Sequence, residues 1–504
     1  MFTIFHGFHL VESYHAWKKE HRNDKNPLGL KLLKVSIAII IPLFLWLAPS
    51  ELYGLPGLNP IEQRVLSIFA FAALMWLFDV VSAWTTSLLV VVLLLFCTSD
   101  SALWFFQTDS GGEKFGNLVN NTAILHCFAD PTIMLFIGGF IVAIAATKSG
   151  LDVKLAKVML APFGTKSENV LLGFLLVTAV FSMFISNTAT AAMMLTFLSP
   201  VLKALPADGK GKIGLALAIP IGANIGGIGT PIGTPPNAIA LKFLNDPAGM
   251  NLGIGFGQWM MVMVPFTIVL LFIAWNVLKH MFPFKQKVIH LQIDCHHEGS
   301  WRDALVYVTF AVTVLLWLTD SVTGVNANVV AMLPVGVLCI AGVINRRDLE
   351  QISWSILWMI AGAFALGVAM RQSGLAENMI AAIPFSEWSP LVVIIGSGLL
   401  CYIMANFISH TATAALFVPI LAIAGTSMAD SLASYGGVST LLIGVALCSS
   451  LAMVLPISTP PNALADATGF IKQKYMVTTG LIMGVIGLLL GYLLLIFCGA
   501  NGIL

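Results

Sequence analysis

Apolar positions along this chain come in long unbroken runs, and polar residues are confined to short gaps between them. Runs approaching the roughly 20 residues that a membrane-crossing helix requires occupy 35–50, 64–79, 82–98, 132–147, 168–185, 258–282, 303–319, 327–345, 355–370, 390–408, 437–455 and 477–499. Five further apolar segments, 190–204, 212–228, 235–244, 411–424 and 460–470, are short or broken by Gly and Pro. The stretch 283–302 is polar and of mixed charge, with Lys285, Lys287, Asp294, Glu298 and Arg302. This pattern predicts an all-α polytopic membrane protein: an N-terminal segment 1–34, a first half 35–282, a linker 283–302 and a second half 303–504. Lysines and arginines in the linker, at Arg346 and Arg347, and before the first span (Lys18, Lys19, Arg22, Lys25, Lys31, Lys34) put these regions on the cytoplasmic side. No apolar core lies near enough to the start to read as a cleavable signal peptide.

The two halves repeat each other. Ile185-Ser186-Asn187-Thr188-Ala189-Thr190 returns as Ile408-Ser409-His410-Thr411-Ala412-Thr413, an offset of 409 − 186 = 223. Thr234-Pro235-Pro236-Asn237 returns as Thr459-Pro460-Pro461-Asn462, an offset of 459 − 234 = 225. Ser149-Gly150-Leu151 returns as Ser373-Gly374-Leu375, an offset of 373 − 149 = 224. Ser, Thr and Ala are common in membrane helices, so one match means little. Three landmarks in one order at a nearly constant offset indicate duplication, and broken segments at matching places in two halves point to a binding site between them.

Each motif interrupts a helix for a chemical reason. Ser, Asn and Thr side chains bond to nearby backbone and favour turns and N-caps. Proline ends the preceding helix and suits the first turn of the next. Before Pro235, the glycines Gly222, Gly226, Gly227, Gly229 and Gly233 allow unwound or closely packed backbone. A helix restarting inside the bilayer points its N–H groups and about half a positive charge into the gap, a ready site for an anion. The hydroxyls of Ser186, Thr188, Ser409 and Thr411 and the Asn187 amide can donate to carboxylate oxygens, while unwound carbonyls can hold a small hard cation. Neither motif contains Lys or Arg, so a bound anion is neutralised by dipoles and co-bound cations. The competing interpretation of each motif alone is helix packing by small hydroxyl residues.

Composition agrees. Hydrophobic residues make up 58% of the 504 and charged residues 10%, against about 25% charged in soluble domains. A net charge of +1 gives no case for nucleic acid as a partner. The seven cysteines lie mostly in apolar runs without a CxxC pair and read as small buried hydrophobes. Cys295 with His290, His296 and His297 forms a cluster that could hold a metal, although a solvated loop explains it as well. Asp79 and Asp466 are polar in apolar surroundings and count as functional candidates or helix-end residues. Trp354 and Trp358 read as an interfacial belt.

The paired Ser-Asn-Thr and Thr-Pro-Pro-Asn motifs, with Trp76-Leu77-Phe78-Asp79 upstream, resemble the divalent anion/sodium symporter family, and the likeness extends from there to the end of the chain. The resemblance implies an elevator-type homodimer in the plasma (bacterial inner) membrane, with about eleven spans and two re-entrant hairpins arranged as inverted repeats in scaffold and transport domains. It implies a small dicarboxylate as substrate and sodium as the coupling ion. By this likeness Ser186, Asn187, Thr188, Ser409 and Thr411 face the carboxylates, joined by His410, Thr234, Pro235, Thr459 and Pro460. The first sodium site falls to Ser182, Ser186, Asn187 and the backbone of Gly233, the second to Ala405, Ile408, His410 and Ser458.

The second repeat departs from the family pattern. His410 stands where sodium-coupled members usually have Asn, and Ala405 where a hydroxyl is often found. Three roles are open to His410: a cation replacing sodium in a sodium-independent exchanger, a titrating group coupling transport to protons, or a neutral donor to the substrate. An inorganic anion such as sulfate is an alternative cargo. A channel suits two broken hairpins less well than alternating access does. Ser409 beside His410 lacks the geometry and the third orienting group of a hydrolytic triad, so the chain is not expected to be an enzyme.

Overall fold

The computed structural model describes residues 28–55, 57–205, 209–246, 249–289, 300–382 and 388–503. The cluster formed by His290, Cys295, His296 and His297 and most of segment 1–34 lie outside them. Helices dominate throughout, because a backbone in lipid must pair its N–H and C=O groups within its own segment. In the first half they are α1 (Leu28–Leu47), α2 (Pro60–Phe78), α3 (Ala83–Cys97), α4 (Pro131–Lys148), α5 (Leu151–Leu160), α6 (Ser167–Phe184), α7 (Asn187–Ala204), α8 (Gly211–Gly227), α9 (Pro235–Leu244) and α10 (Phe256–Met281). The second half holds α11 (Trp301–Leu318), α12 (Met332–Ile340), α13 (Trp354–Ser373), α14 (Leu375–Ala382), α15 (Pro390–Ala405), α16 (His410–Ser427), α17 (Gly437–Ser450), α18 (Pro460–Ala467) and α19 (Gln473–Ala500).

Among the described residues eight helices are long and apolar enough to cross a membrane, or nine if the bent pair Ala429–Tyr435 and Gly437–Ser450 is one span. Two expectations change. The segments 190–204 and 411–424 were expected to be short or interrupted, but α7 and α16 are unbroken 18-residue helices that continue through Pro200 and Pro419. Packed neighbours make an internal proline tolerable in such a helix, and Pro419 sits against Gly367 of α13. The first helix among the described residues begins at Leu28 rather than 35 and takes in Lys34, whose long side chain can reach out of an apolar layer.

The duplication visible in the motifs extends to the helices. Elements α4 to α10 return in order as α13 to α19, their first residues displaced by 354 − 131 = 223, 375 − 151 = 224, 390 − 167 = 223, 410 − 187 = 223, 437 − 211 = 226, 460 − 235 = 225 and 473 − 256 = 217. The repeats also exchange partners: α9 of the first packs on α16 and α17 of the second, and α18 of the second packs on α7 and α8 of the first. The two motif regions are thereby brought together.

Helix α19 shows how the bundle keeps lipid outside. Leu481, Val485, Leu489, Leu493 and Phe497 recur every four residues and are exposed. On the buried side Gly480, Gly484, Gly487 and Gly491 allow the helix to lie directly on its neighbours. An added Cβ at Gly487 would stand 2.8 Å from Leu451, and one at Gly480 would stand 2.8 Å from the Val454 backbone. Small residues at such faces are the usual device where no water drives helices together.

Candidate anion-binding site

Two tips are made by the Ser-Asn-Thr motif and its copy. Helix α6 stops at Phe184, Ile185 is extended (φ −118°, ψ 151°), and Ser186 caps α7 by accepting from the Ala189 N–H at 3.3 Å. In the second repeat Ser409 caps α16 by accepting from the Ala412 N–H at 3.1 Å. The proline motifs make two more starts. Thr234 and Thr459 are extended, and Pro235 and Pro460 open α9 and α18. Thr459 Oγ1 also accepts from the Asn462 N–H at 3.2 Å.

Asparagines hold the unwound loops in shape. Asn237 Nδ2 donates to the carbonyls of Gly227 (3.0 Å), Ile228 (3.3 Å) and Thr230 (2.8 Å). Asn462 Nδ2 donates to those of Met453 (2.8 Å) and Leu455 (3.0 Å). The acceptors match across the repeat, since 453 − 228 = 225 and 455 − 230 = 225.

All four helix starts meet. Asn187, Pro235, His410 and Pro460, the first residues of α7, α9, α16 and α18, line one cavity of about 320 Å³. Ser186, Thr188, Thr234, Ser409, Thr411 and Thr459 line it too, so the cavity gathers every residue expected to contact substrate. No Lys, Arg, Asp or Glu lies on its wall. What the wall offers is four helix N-termini, each carrying about half a positive charge, and hydroxyl groups.

The tips differ in which residue is open: Thr188 is exposed at the first and Ser409 at the second, where His410 and Thr411 are buried. Phe140 and Ser186 are shared with a second cavity of about 490 Å³ that continues to Thr147, Lys148, Asp348 and Gln351. There Lys148 Nζ pairs with Asp348 at 2.7 Å. Burial acts to raise the Asp348 carboxyl, but the Lys148 hydrogen bond, the Asn345 backbone and the Lys148 charge outweigh it, and the net shift is downward. Toward the other end of α4, Lys242 pairs with Asp130 at 2.7 Å, and Arg371 pairs with Asp246 at 2.5 Å.

Of the residues expected at the first sodium site, Ser182, Asn187 and Gly233 bring oxygens together, while the Ser186 hydroxyl caps α7. Ser182 Oγ lies 2.6 Å from Asn187 Oδ1 and 2.8 Å from the Ala223 carbonyl. Gly227 and Gly233 close the cluster: a Cβ at Gly227 would stand 2.7 Å from Asn187 Oδ1 and 3.0 Å from the Gly233 carbonyl. Neutral oxygens, several of them backbone, suit a small hard cation. The second set does not match. His410 Nε2 lies 2.8 Å from the Ala452 carbonyl, and Ser458 Oγ is taken up by Leu455, accepting from its N–H at 3.1 Å and donating to its carbonyl at 2.5 Å. Ala405 and Ile408 are buried and, like Ser182, are not on the cavity wall. A donor thus faces a carbonyl where the first repeat offers an amide oxygen.

Asn224, Phe136, Phe140, Ile356 and Met359 also line the cavity and were not expected there. The one signal available for Asn224 was an amide inside a Gly/Ala-rich apolar helix. Asp79 and Asp466, flagged on similar grounds, are not on the wall. Asp79 ends α2 in the left-handed region (φ 48°).

A helical membrane bundle whose broken helices begin at one cavity with no charged residue on its wall is the architecture of a solute transporter. More particularly, the chain belongs to the citrate transporter family (CitMHS), which matches residues 73–435, and it is a multi-pass integral membrane protein. It is 31% identical over 451 residues to an uncharacterized transporter of Haemophilus influenzae, covering 85% of this chain and 90% of that one. It is 27% identical over 482 residues to the sodium-dependent dicarboxylate transporter SdcS of Staphylococcus saprophyticus, covering 88% and 87%. It is 26% identical over 458 residues to the inorganic phosphate transporter PHO87 of Saccharomyces cerevisiae, covering 90% of this chain and 47% of that one. The fold is shared with the YdaH transporter of Alcanivorax borkumensis, at TM-score 0.53 and 11% identity over 86% of this chain and 98% of that one.

Proposed function

We propose that this chain is a secondary active transporter that carries small dicarboxylates of the succinate, malate and fumarate type by sodium-coupled symport. The observation that carries this reading is the meeting of four helix N-termini at a cavity with no charged residue on its wall. Such a site holds a dianion through backbone N–H groups and hydroxyls. Charge is costly at membrane depth, so a co-bound cation lightens the load, and the oxygens around Ser182, Asn187 and Gly233 are suited to supply one. Likeness to a sodium-dependent dicarboxylate transporter supports both substrate and ion.

The repeats are read as inverted, with the tips at α6/α7 and α15/α16 entering from opposite faces. Movement of a transport domain against a scaffold then exposes the cavity to each side in turn. The protein is placed as a homodimer in a plasma (bacterial inner) membrane, N-terminus in the cytoplasm.

A second reading, a sodium-independent dicarboxylate exchanger or proton-coupled carrier, is favoured by one observation: His410 rather than an amide faces the Ala452 carbonyl. Labelled succinate uptake into proteoliposomes separates the two. Uptake driven by an inward sodium gradient into empty vesicles, and not by potassium, makes the chain a symporter. Uptake that requires internal dicarboxylate and ignores sodium makes it an exchanger. Failure of succinate to compete with phosphate or sulfate uptake would return the cavity to an inorganic anion.

A further inference from the structure

We propose that Asn224 reads the substrate: its side-chain oxygen is a fixed acceptor at the cavity wall that favours anions carrying a hydrogen-bond donor over equally charged anions carrying none. The inference rests on the cavity being the anion site described above.

The orientation of the Asn224 amide follows from its partners. Asn462 Nδ2 is spent on two backbone carbonyls, Met453 and Leu455, and carbonyls only accept. The Asn462 amide therefore presents its oxygen on its other side. Asn224 Nδ2 meets that oxygen at 3.1 Å and Thr459 Oγ1 at 3.2 Å. Both amide hydrogens of Asn224 are thereby used, and the group cannot flip without placing oxygen against oxygen. Asn224 Oδ1 is left with no partner, although the residue is 1% exposed and lines the cavity. Native interiors seldom leave such a group unpaired.

The clasp is made once, although the fold offers it twice. The matching positions in the second repeat, 224 + 225 = 449 and 224 + 226 = 450, are Ser449 and Ser450. Serine is shorter than asparagine, and the hydroxyls of both and the Asn237 Oδ1 across from them have no partner. Only the first repeat supplies a locked amide to the cavity.

An obligate acceptor stands out among the polar groups of this wall, which are mainly hydroxyls and the N–H groups of helix starts. It repels a carboxylate oxygen and welcomes an O–H. A site built to bond a substrate hydroxyl discriminates strongly against the analogue lacking it. The preferred cargo is therefore a hydroxylated dicarboxylate rather than a plain one. The same chemistry prefers phosphate, which keeps a proton near neutral pH, over sulfate, which does not.

Two matched pairs test this in proteoliposomes near neutral pH: malate against succinate, and phosphate against sulfate. Malate should exceed succinate by about tenfold in kcat/KM. Asn224→Ser should bring the ratio toward one. Asn224→Asp sets an oxygen against the Asn462 oxygen in place of the donor, so it breaks the clasp and should lose the ratio together with uptake. The ratio does not depend on how much protein inserts. Should neither variant fold, methoxysuccinate competing against malate on the unaltered protein reads the same donor, and equal potency overturns the proposal. A wild-type protein that transports malate and succinate equally also overturns it while leaving the dicarboxylate reading intact. So does Asn224→Ser that shifts the sodium half-saturation with the ratio unchanged, because Oδ1 would then be a cation ligand. Conversely, transport of phosphate over sulfate with no dicarboxylate uptake, and loss of that preference in Asn224→Ser, sinks the dicarboxylate reading and keeps the role of Asn224. No transport of any of the four sinks both.

Discussion

His410 Nε2 lies 2.8 Å from the carbonyl oxygen of Ala452, so that ring nitrogen carries a proton and occupies a lone pair that a cation would need. Ala452 is the counterpart of Gly227 (452 − 227 = 225), and in the first repeat Gly227 is the residue against which the Asn187 amide packs. The expected consequence is a single functional cation place. Initial uptake should rise hyperbolically with sodium in the wild type. His410→Asn restores an amide oxygen at this tip and should make the curve sigmoidal. A steeply sigmoidal wild-type response would count against the assignment.

The loop-bracing asparagines should differ in their effect on stability. Removing a side chain that satisfies buried carbonyls costs about 1–3 kcal/mol. Asn237→Ala strands carbonyls of the 227–230 loop. Asn462→Ala strands those of Met453 and Leu455 and also takes away the acceptor of Asn224. Both variants should melt lower than wild type in detergent, followed by tryptophan fluorescence, with Asn462→Ala the lower of the two. Unchanged midpoints would mean that the loops are held by something other than these amides.

The breaks in α6/α7, α15/α16, α8/α9 and α17/α18 were legible because Ser-Asn-Thr and Thr-Pro-Pro-Asn leave a local mark in an apolar run. Duplication doubled that mark, and every residue expected against substrate lines one cavity. Long-range partners were not legible. Asn224 takes its orientation from Asn462, 238 residues away, and Lys148 meets Asp348 across 200 residues; neither pairing has a signature in the neighbouring sequence. The continuity of α16 through Pro419 was hidden for a similar reason. Proline reads as a break locally, and its place beside Gly367 of α13 is a long-range contact. For His410 the sequence left three roles open, and its bond to Ala452 is set by a backbone group that sequence cannot identify.

The ion pair on the wall of the second cavity gives a pH test. Asp348 accepts from Lys148 and from the Asn345 N–H at 2.8 Å, and its carboxyl titrates below the ordinary value for an aspartate. A folded value lowered relative to the unfolded one, about 3.9, adds stability above the unfolded value, and that stability is lost as pH falls through the folded one. Asp348→Asn should therefore lower the melting temperature at neutral pH, and the gap from wild type should close as pH falls below the ordinary aspartate range. A gap that persists there would assign the effect to packing rather than charge.

Gly227 offers the sharpest test of the first cation place, because the substitution leaves every proposed ligand residue in the chain and crowds two of them. A Cβ there stands 2.7 Å from Asn187 Oδ1 and 3.0 Å from the Gly233 carbonyl, closer than either contact allows. The backbone cannot yield easily, since Asn237 bonds the carbonyls of Gly227 and Ile228. The Asn187 amide must move instead, away from Ser182, which it meets at 2.6 Å. Gly227→Ala should raise the sodium half-saturation about tenfold or more, while the protein still purifies as a folded species. Gly336→Ala is the control, since its added Cβ meets nothing within 4 Å and should leave sodium dependence as it is. If both variants respond to sodium like wild type, the oxygens around Ser182 and Asn187 do not hold the coupling ion. If Gly227→Ala weakens substrate binding without moving the sodium response, the Asn187 amide serves the anion alone.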